Sequence, residues 1–251
     1  MHVHVWIVTF LFLWSSGEMA ATALRLRVPD RLVRLAIVFA LGLSVWPILF
    51  LITTRLGIEI APGAMRAIVY ASIVAGCATA ILRARRVRWS RVRAAIPLFA
   101  TFAILAVIAI ATRVSHIRTL AFPPWVDGVH HAMIVRLLLE QGVVPATADP
   151  YIPGAAFFYH WGFHVPATFV AAATGSSEMP TFLLQYGQAL NALSLLMIYA
   201  AGRVLLRSRE AGLIAASLAM FVSYYTGFYL SWGRYTHLAG TLVLPALLIA
   251  L

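Results

Sequence analysis

Carboxylate and imidazole side chains suited to acid–base chemistry are concentrated in one stretch of this sequence. Asp127 is followed by His130 and His131, three and four positions later. On a helix, this spacing brings both imidazoles close to the turn that carries the carboxylate. Such a carboxylate can take a proton from a hydroxyl group or bind a divalent cation, while histidines shuttle protons or bind metal. The structural alternatives are a helix N-cap for Asp127 and positions in a wet interfacial loop for the two histidines.

His160 and His164 form a second imidazole pair, four residues apart. On a helix both would point to one face, which is the spacing of paired zinc ligands. A zinc protease needs Glu directly after the first His of such a pair, and Trp161 at that position excludes the class. With Asp127 and His131, the two leading metal candidates, the pair could hold a divalent cation such as Mg²⁺ or Mn²⁺. Alternatively, both histidines line a contact between loop and membrane.

Arg234 is the candidate for binding a phosphate group. It lies between Trp232 and Tyr235 in a short polar turn. A guanidinium group binds phosphate through paired hydrogen bonds, which suits a lipid-linked phosphate. The structural alternative is an arginine that anchors an aromatic belt at the membrane surface.

A stripe of polar side chains interrupts one of the later apolar runs. Polar groups in lipid must face protein or a water-filled cavity. The stripe therefore either joins helices or lines a cavity for a polar substrate, and Gln188 is its candidate substrate-binding residue. Its members recur at three-residue spacing: Gln185, Gln188 and Asn191.

The composition is that of a membrane protein. Of the 251 residues, 62% are hydrophobic and 11% are charged, whereas about a quarter of a soluble domain is charged. The net charge of +11 comes from arginines that cluster between apolar runs, a pattern that follows the positive-inside rule and argues against nucleic acid as a partner. Cys77 is the single cysteine, so the chain can form no internal disulfide.

Apolar runs of about 20 residues predict an all-α, polytopic transmembrane helical bundle. Residues 1–112 are expected to hold about four spanning helices, 113–180 an outer loop with short interfacial helices, and 181–251 about three more spans. The last run continues to the end of the sequence, which predicts a fragment of a longer protein. The seven expected spans are about 3–24, 35–54, 67–82, 94–112, 181–202, 211–230 and 238 onward.

The arginine distribution predicts which side of the membrane each turn occupies. Thirteen of the 19 arginines fall in the turns at 25–34, 83–93 and 203–209. The positive-inside rule assigns these turns to the cytoplasm and the 113–180 loop to the outer face. All eight histidines then lie on the outer side.

The outer loop itself carries two helical patterns. Apolar residues at three- and four-residue spacing after Asp127 predict an amphipathic helix that ends at Gly142 and lies flat in the outer interface. A second short helix is expected over about 159–174, ended by Gly175, and predicted to re-enter the apolar layer.

Three stretches of the sequence resemble the multi-spanning glycosyltransferases of the GT-C class. These stretches are Trp125-Val126-Asp127 with the helix after it, 159–164 with its two histidines, and the turn at 232–240. The resemblance covers about 110–251, and the first 110 residues share only the hydropathy pattern. It implies that a sugar moves from a polyprenyl-phosphate-type donor to an acceptor on the outer face of a membrane, here the bacterial inner membrane, among membrane lipids.

The same resemblance gives the site residues their roles. An acidic residue of the outer loop acts as base or helps hold a metal, and Asp127 matches that position. Gly128 stands where many members carry Glu, which argues against metal binding by an acidic pair. The candidate loop also follows the fourth predicted span, whereas many members place it after the first. The candidate substrate-binding residues are His130, His131, His160, His164, Arg234 and Gln188.

Two other functions remain open from the residues alone. A transporter or flippase for a lipid-linked or polar substrate could use the same polar groups without chemistry, although the predicted spans contain few of the charges typical of transporters. A non-catalytic membrane assembly protein would use the outer loop to bind a partner.

Overall fold

The computed structural model describes residues 3–84 and 96–250, and these residues form an all-α bundle. Strands are absent from both ranges; Thr147 and Ala156 form one isolated antiparallel bridge. A π-helical turn, Leu218–Val222, lies between the eighth and ninth helices. The helices are α1 (Val3–Ala23), α2 (Arg31–Arg55), α3 (Pro62–Ala84), α4 (Ile96–Ile117), α5 (Asp127–Gln141), α6 (His164–Thr174), α7 (Met179–Leu205), α8 (Arg209–Ser217), α9 (Tyr225–Ser231) and α10 (Tyr235–Ala250).

Six segments of the described chain are long and apolar enough to cross a membrane: α1, α2, α3, α4, α7 and Arg209–Ser231. The seventh expected span corresponds to α10, whose apolar part, Tyr235–Ile249, is shorter. The prediction of an all-α transmembrane bundle is confirmed, and the chain is an integral membrane protein. Five of the arginines in the predicted 83–93 cluster, and the expected start of the fourth span, lie outside the described residues.

Helix α1 packs tightly against α2 because two glycines face each other there. A Cβ placed on Gly17 would lie 1.7 Å from the Val38 carbonyl oxygen, and one on Gly42 would lie 1.8 Å from the Leu13 carbonyl oxygen. Close to this contact, the fully buried Glu18 carboxylate forms ion pairs with Arg34 of α2 and Arg83 of α3. One acidic residue thereby connects three helices.

Short helix α6 lies in the centre of the molecule, with every residue from His164 to Ala173 buried. The aromatic ring of Phe169, a residue of α6, packs among aromatic side chains of α1 and α2. Its last carbonyl groups accept hydrogen bonds from α3: Arg66 Nε donates to Ala172 at 3.0 Å, and the Tyr70 hydroxyl donates to Ala173 at 3.1 Å. These bonds satisfy backbone groups that a helix end leaves unpaired.

Glycines end both helices of the outer loop, as the sequence predicts. Gly142 after α5 and Gly175 after α6 both adopt the left-handed conformation, with φ of 67° and 65°. Residues 143–163 form a compact turn between these helices, in which Ala148 donates a backbone hydrogen bond to Ala155 at 2.8 Å. The turn brings Tyr159 back to the first turn of α5.

The sixth predicted span, 211–230, is broken rather than continuous. After α8 the chain passes through the π-helical turn, becomes extended at Ser223 with ψ of 144°, and resumes as α9. Arg113 of α4 donates a hydrogen bond from its guanidinium to the Met220 carbonyl at 3.1 Å, inside the break. A side chain inserted into a helical ladder is a recognised cause of such an interruption, and hydropathy alone does not reveal it.

Candidate functional site

Three segments far apart in sequence meet at the start of α5. The turn between α9 and α10 places Gly233 so close to α5 that an added Cβ would lie 3.1 Å from the Asp127 Cβ. Trp232 of this turn stacks on Trp125, with ring centroids 4.7 Å apart. From the third segment, His164 at the start of α6 contacts His131 of α5. The fold thus assembles one site from the three stretches.

Two buried imidazoles form the centre of this site. His131 Nδ1 and His164 Nε2 are 2.9 Å apart, and the two residues are 1% and 0% exposed. Aromatic rings of Tyr159, Phe163 and Tyr235 surround the His131 ring at centroid distances between 5.5 and 5.9 Å. The pair is therefore held in an apolar, aromatic enclosure.

This enclosure keeps both imidazoles neutral near pH 7. Burial lowers the pKa of His131 to about 4, although the backbone of Gly233 and the charge of Asp127 oppose the shift. Burial and the neighbouring His131 also hold the pKa of His164 well below its ordinary value, while the His160 backbone opposes the shift. Removing a charged imidazolium from water costs more than these partners return.

The His164 ring is paired on one side only. Each neutral imidazole carries one N–H group, and one of these serves the contact between His131 Nδ1 and His164 Nε2. His164 Nδ1 is buried without a hydrogen-bond partner among the described residues. The pair therefore leaves one polar nitrogen unpaired inside the aromatic enclosure.

Asp127 is a half-buried carboxylate beside this pair. It lies on a pocket of about 530 Å³ that His130, His131 and Tyr159 also line. Within the described chain its carboxylate has no hydrogen-bond or ion-pair partner within bonding distance, so its oxygens are available to a ligand. The predicted N-cap role is wrong: the cap position belongs to Val126, whose φ of −64° and ψ of −32° are already helical, and no side chain caps this end.

His160 is not on the same helical face as His164, contrary to the sequence prediction. Helix α6 begins at His164, and His160 lies in the preceding turn, stacked on Tyr159 with a centroid distance of 4.2 Å. Pro166 explains the shorter helix, because its ring clashes with the carbonyl four residues earlier in a continuous helix. A helix that began at 159 would contain this clash.

The histidines and Asp127 do not form the divalent metal site that their spacing suggested. Across the described ranges there is no group of three or more His, Cys, Asp or Glu side chains arranged to hold a metal ion. His131 and His164 point their nitrogens at each other instead of at a common centre.

Arg234 lies next to the site, in the turn that packs on Asp127. Its guanidinium carbon is 6.0 Å from the centre of the Trp232 ring. In the part of the chain that the structure describes, no carboxylate lies within 4 Å of the Arg234 guanidinium, so this group forms no ion pair there. This arrangement agrees with the aromatic anchor and leaves the phosphate role as a prediction.

The residues of the polar stripe in α7 do not all have the same role: two join helices, and one lines a cavity. Gln185 accepts a hydrogen bond from the Trp6 indole of α1 at 2.8 Å, and Asn191 accepts one from Arg113 at 2.9 Å; both join helices. Gln188 instead lines a pocket that does not include Asp127. It is therefore not part of the histidine site.

Sequence reasoning missed two residues that build the site. Tyr235 is buried against His131 and Gly187, and Gly233 provides the close approach to Asp127. It also missed Arg113, which lines a different pocket. An arginine near the end of an apolar run is a signal for such a pocket, because charges in spanning helices are costly and functional.

The site has the parts needed for base chemistry on a hydroxyl group. A carboxylate without an ion-pair partner lies on a pocket, and a neutral, buried imidazole pair lies next to it. An arginine stands on the adjacent turn. Comparison with known proteins found no matching family model, no matching curated protein and no matching solved structure.

Proposed function

We propose that this chain is a membrane glycosyltransferase similar to the GT-C class. It moves a sugar from a polyprenyl-phosphate-type donor to an acceptor hydroxyl at the outer face of the bacterial inner membrane. The observation that supports this proposal is the meeting of the three stretches that carry the resemblance. Trp125 to Asp127, the segment from Tyr159 to His164, and the turn at 232–235 contact one another at α5, beside the pocket that Asp127, His131 and Tyr159 line.

Asp127 is the general base in this proposal. Its carboxylate takes the proton from the acceptor hydroxyl, and the oxygen attacks the anomeric carbon of the donor sugar. The bond between that carbon and the phosphate oxygen breaks, and its electron pair leaves with the lipid phosphate. Arg234 stabilises the negative charge of the departing phosphate. The proton that Asp127 has gained then returns to solvent.

His131 has a positioning role for Asp127. The two side chains line the same pocket, and the neutral imidazole contributes no positive charge that would weaken the carboxylate as a base. The aromatic enclosure holds the imidazole in place, and through Gly233 it also fixes the distance between the turn and α5. His130, which lines the same pocket, is available to contact the sugar.

The decisive experiment is Asp127→Asn in a transfer assay. Membranes that contain the chain are supplied with polyprenyl-phosphate sugars, with and without divalent metal. We expect the variant to lose at least about 100-fold in transfer, the lower range for a general base, with unchanged insertion into the membrane. Asp149→Asn is the matched control, because it makes the same change in an exposed acid of the same loop and should retain transfer. Turnover by Asp127→Asn at the parent rate would reject the proposal.

A transporter or flippase is the second candidate, and the broken sixth span favours it. Interrupted helices near polar groups are typical of transporter binding sites, and Arg113 contacts the interruption directly. Reconstitution in liposomes with a fluorescent lipid-linked sugar separates the two functions. Movement of the lipid across the bilayer that persists in Asp127→Asn would support the transporter.

A further inference from the structure

Arg113 lines a pocket that is separate from the Asp127 pocket. The guanidinium is half-buried between α4, α7 and the broken sixth span. Nε donates to Asn191 at 2.9 Å, and the terminal nitrogens donate to Thr112, the Met220 carbonyl and Thr226. These acceptors are all neutral, so they fix the position of the side chain without balancing its charge.

No carboxylate of the described chain balances that charge. Glu18 is paired with Arg34 and Arg83, and Asp30 with Arg203 and Arg209; among the described residues no carboxylate forms an ion pair with Arg113. A positive charge placed inside an apolar bundle without a counter-ion is unfavourable. An anion bound beside Arg113 would remove this cost.

The pocket beside Arg113 offers donors to such an anion. A guanidinium has five N–H groups, and four of those of Arg113 serve Asn191, Thr112, Met220 and Thr226, which leaves one directed elsewhere. Gln188 is only 3% exposed, lines the pocket, and makes no hydrogen bond with any described residue. His116 and Ser223 also line the pocket.

The size of the pocket suits a small anionic group. Its volume is about 160 Å³, enough for a few water molecules or one phosphate-sized group, since each water in the liquid takes about 30 Å³. It is too small for a sugar together with a phosphate.

The surface that leads to the pocket is apolar. On α4, Val107 and Ile108 are exposed one to two turns before Arg113, and on the broken span Leu218 and Val222 are exposed, the latter by 77%. Both elements belong to spanning segments, so these side chains face lipid. A hydrocarbon chain could lie along them while its head group reaches Arg113.

We propose that the Arg113 pocket binds the phosphate group of a membrane lipid. Arg113 supplies the charge and one N–H group, the Gln188 amide supplies a second hydrogen bond, and the apolar surfaces of α4 and the broken span hold the lipid chain. The site shares no lining residue with the Asp127 pocket, so it does not depend on the transferase proposal.

Binding to the purified full chain in detergent tests this proposal. The probes are farnesyl phosphate, the uncharged alcohol farnesol, and inorganic phosphate, and the measurement is the dissociation constant by native mass spectrometry. We expect farnesyl phosphate to bind at least about tenfold more tightly than either other probe, because only it offers both charge and hydrocarbon. Equal binding of farnesol, or of inorganic phosphate, would overturn the assignment to a lipid phosphate.

Variants assign the binding to this pocket. Arg113→Gln should weaken farnesyl phosphate binding by about tenfold or more, the value of a hydrogen bond to a charged group. Arg118→Gln is the matched control, since it removes the same charge from an exposed position five residues away and should leave the dissociation constant unchanged. Gln188→Leu keeps Arg113 and should weaken binding several-fold, which decides the question if Arg113→Gln fails to fold. Binding unchanged in Gln188→Leu, or equally reduced in Arg118→Gln, contradicts the proposal.

Discussion

At the scale of single residues, the histidine pair is the most unusual feature of this protein. Two imidazoles share a hydrogen bond in an aromatic enclosure, with the pKa of each lowered by burial. Groups that interact this closely release and take up protons as a pair. The pair therefore couples the packing of three segments to pH, independently of the reaction that we propose for the adjacent pocket.

The pair predicts a loss of stability in mild acid. The folded pKa of His131, about 4, lies below its ordinary value of 6.5, so the unfolded state binds more protons between these values. The contribution of the neutral His131 to the free energy of unfolding is complete above about pH 6.5 and is lost as the pH falls toward 4. The loss reaches about 2 kcal/mol at pH 5. Thermal unfolding of the purified protein between pH 5 and pH 7.5 measures this change.

His131→Gln should flatten that pH dependence, since glutamine can make hydrogen bonds but does not titrate. The exposed neighbour His130, changed to Gln, is the control and should keep the parent pH profile. An equal acid sensitivity in His131→Gln and the parent protein would mean that other groups cause the effect.

Gly233 is the residue that fixes the turn against Asp127. It adopts a φ of +62°, and an added Cβ would lie 3.1 Å from both the Asp127 Cβ and the Gly128 backbone nitrogen. Gly233→Ala should therefore combine backbone strain of about 1 kcal/mol with displacement of the turn. We expect the rate of sugar transfer to fall by a larger factor than the equilibrium constant for folding does. Gly154→Ala, at a similar φ of +72° with open space around it, controls for the strain alone.

At the scale of elements, close helix packing and the broken span have opposite effects on rigidity. The α1–α2 contact relies on glycines and on the buried Glu18 ion pairs, and it forms a stable base for α6. The α8–α9 segment instead replaces regular backbone hydrogen bonds with side-chain contacts from Arg113. Local breaks of this kind gather at functional sites, which agrees with a binding pocket at this position.

The α1–α2 contact can be tested by one methyl group. In Gly17→Ala the new Cβ would meet the Val38 carbonyl oxygen at 1.7 Å, so the helices must separate. Overpacking of this kind costs about 1–3 kcal/mol, and the midpoint of thermal unfolding should fall by several degrees. Gly63→Ala is the matched control in α3, because nothing lies within 4 Å of its added Cβ. Equal midpoints for the two variants would contradict the packing shown here.

At the scale of the whole molecule, the arrangement of the site requires one orientation in the membrane. The Asp127 pocket and the outer loop must face away from the cytoplasm if the donor is a lipid-linked sugar on the outer leaflet. The arginine-rich turns at 25–34 and 203–209 must then face inward.

A cysteine accessibility experiment tests the orientation. The chain has a single cysteine, Cys77, so Cys77→Ser gives a cysteine-free parent for single replacements. Tyr151→Cys in the loop should react with a membrane-impermeant maleimide in intact cells, while Arg207→Cys should react only after the membrane is opened. The reverse pattern would place Asp127 in the cytoplasm and remove the basis for the transferase proposal.

The features that depend on local physics can be predicted from the order of the residues alone. Hydropathy predicts an all-α membrane bundle because each spanning helix must satisfy its own backbone hydrogen bonds in lipid. Gly142 and Gly175 end their helices because glycine readily adopts the left-handed conformation. The spacing of Asp127 and His131 likewise places them on adjacent turns of one helix.

The features that depend on partners far apart in the chain become visible in the folded molecule. His131 contacts His164, which lies 33 positions later in the chain. Gly233 packs against Asp127, although the two are far apart in sequence. Arg113 contacts a break in a span that hydropathy predicts to be continuous. Hydropathy and spacing describe each segment by itself, whereas these contacts arise from how helices pack against one another. The physical reason is that packing, rather than composition, selects which polar groups a buried histidine or arginine can reach.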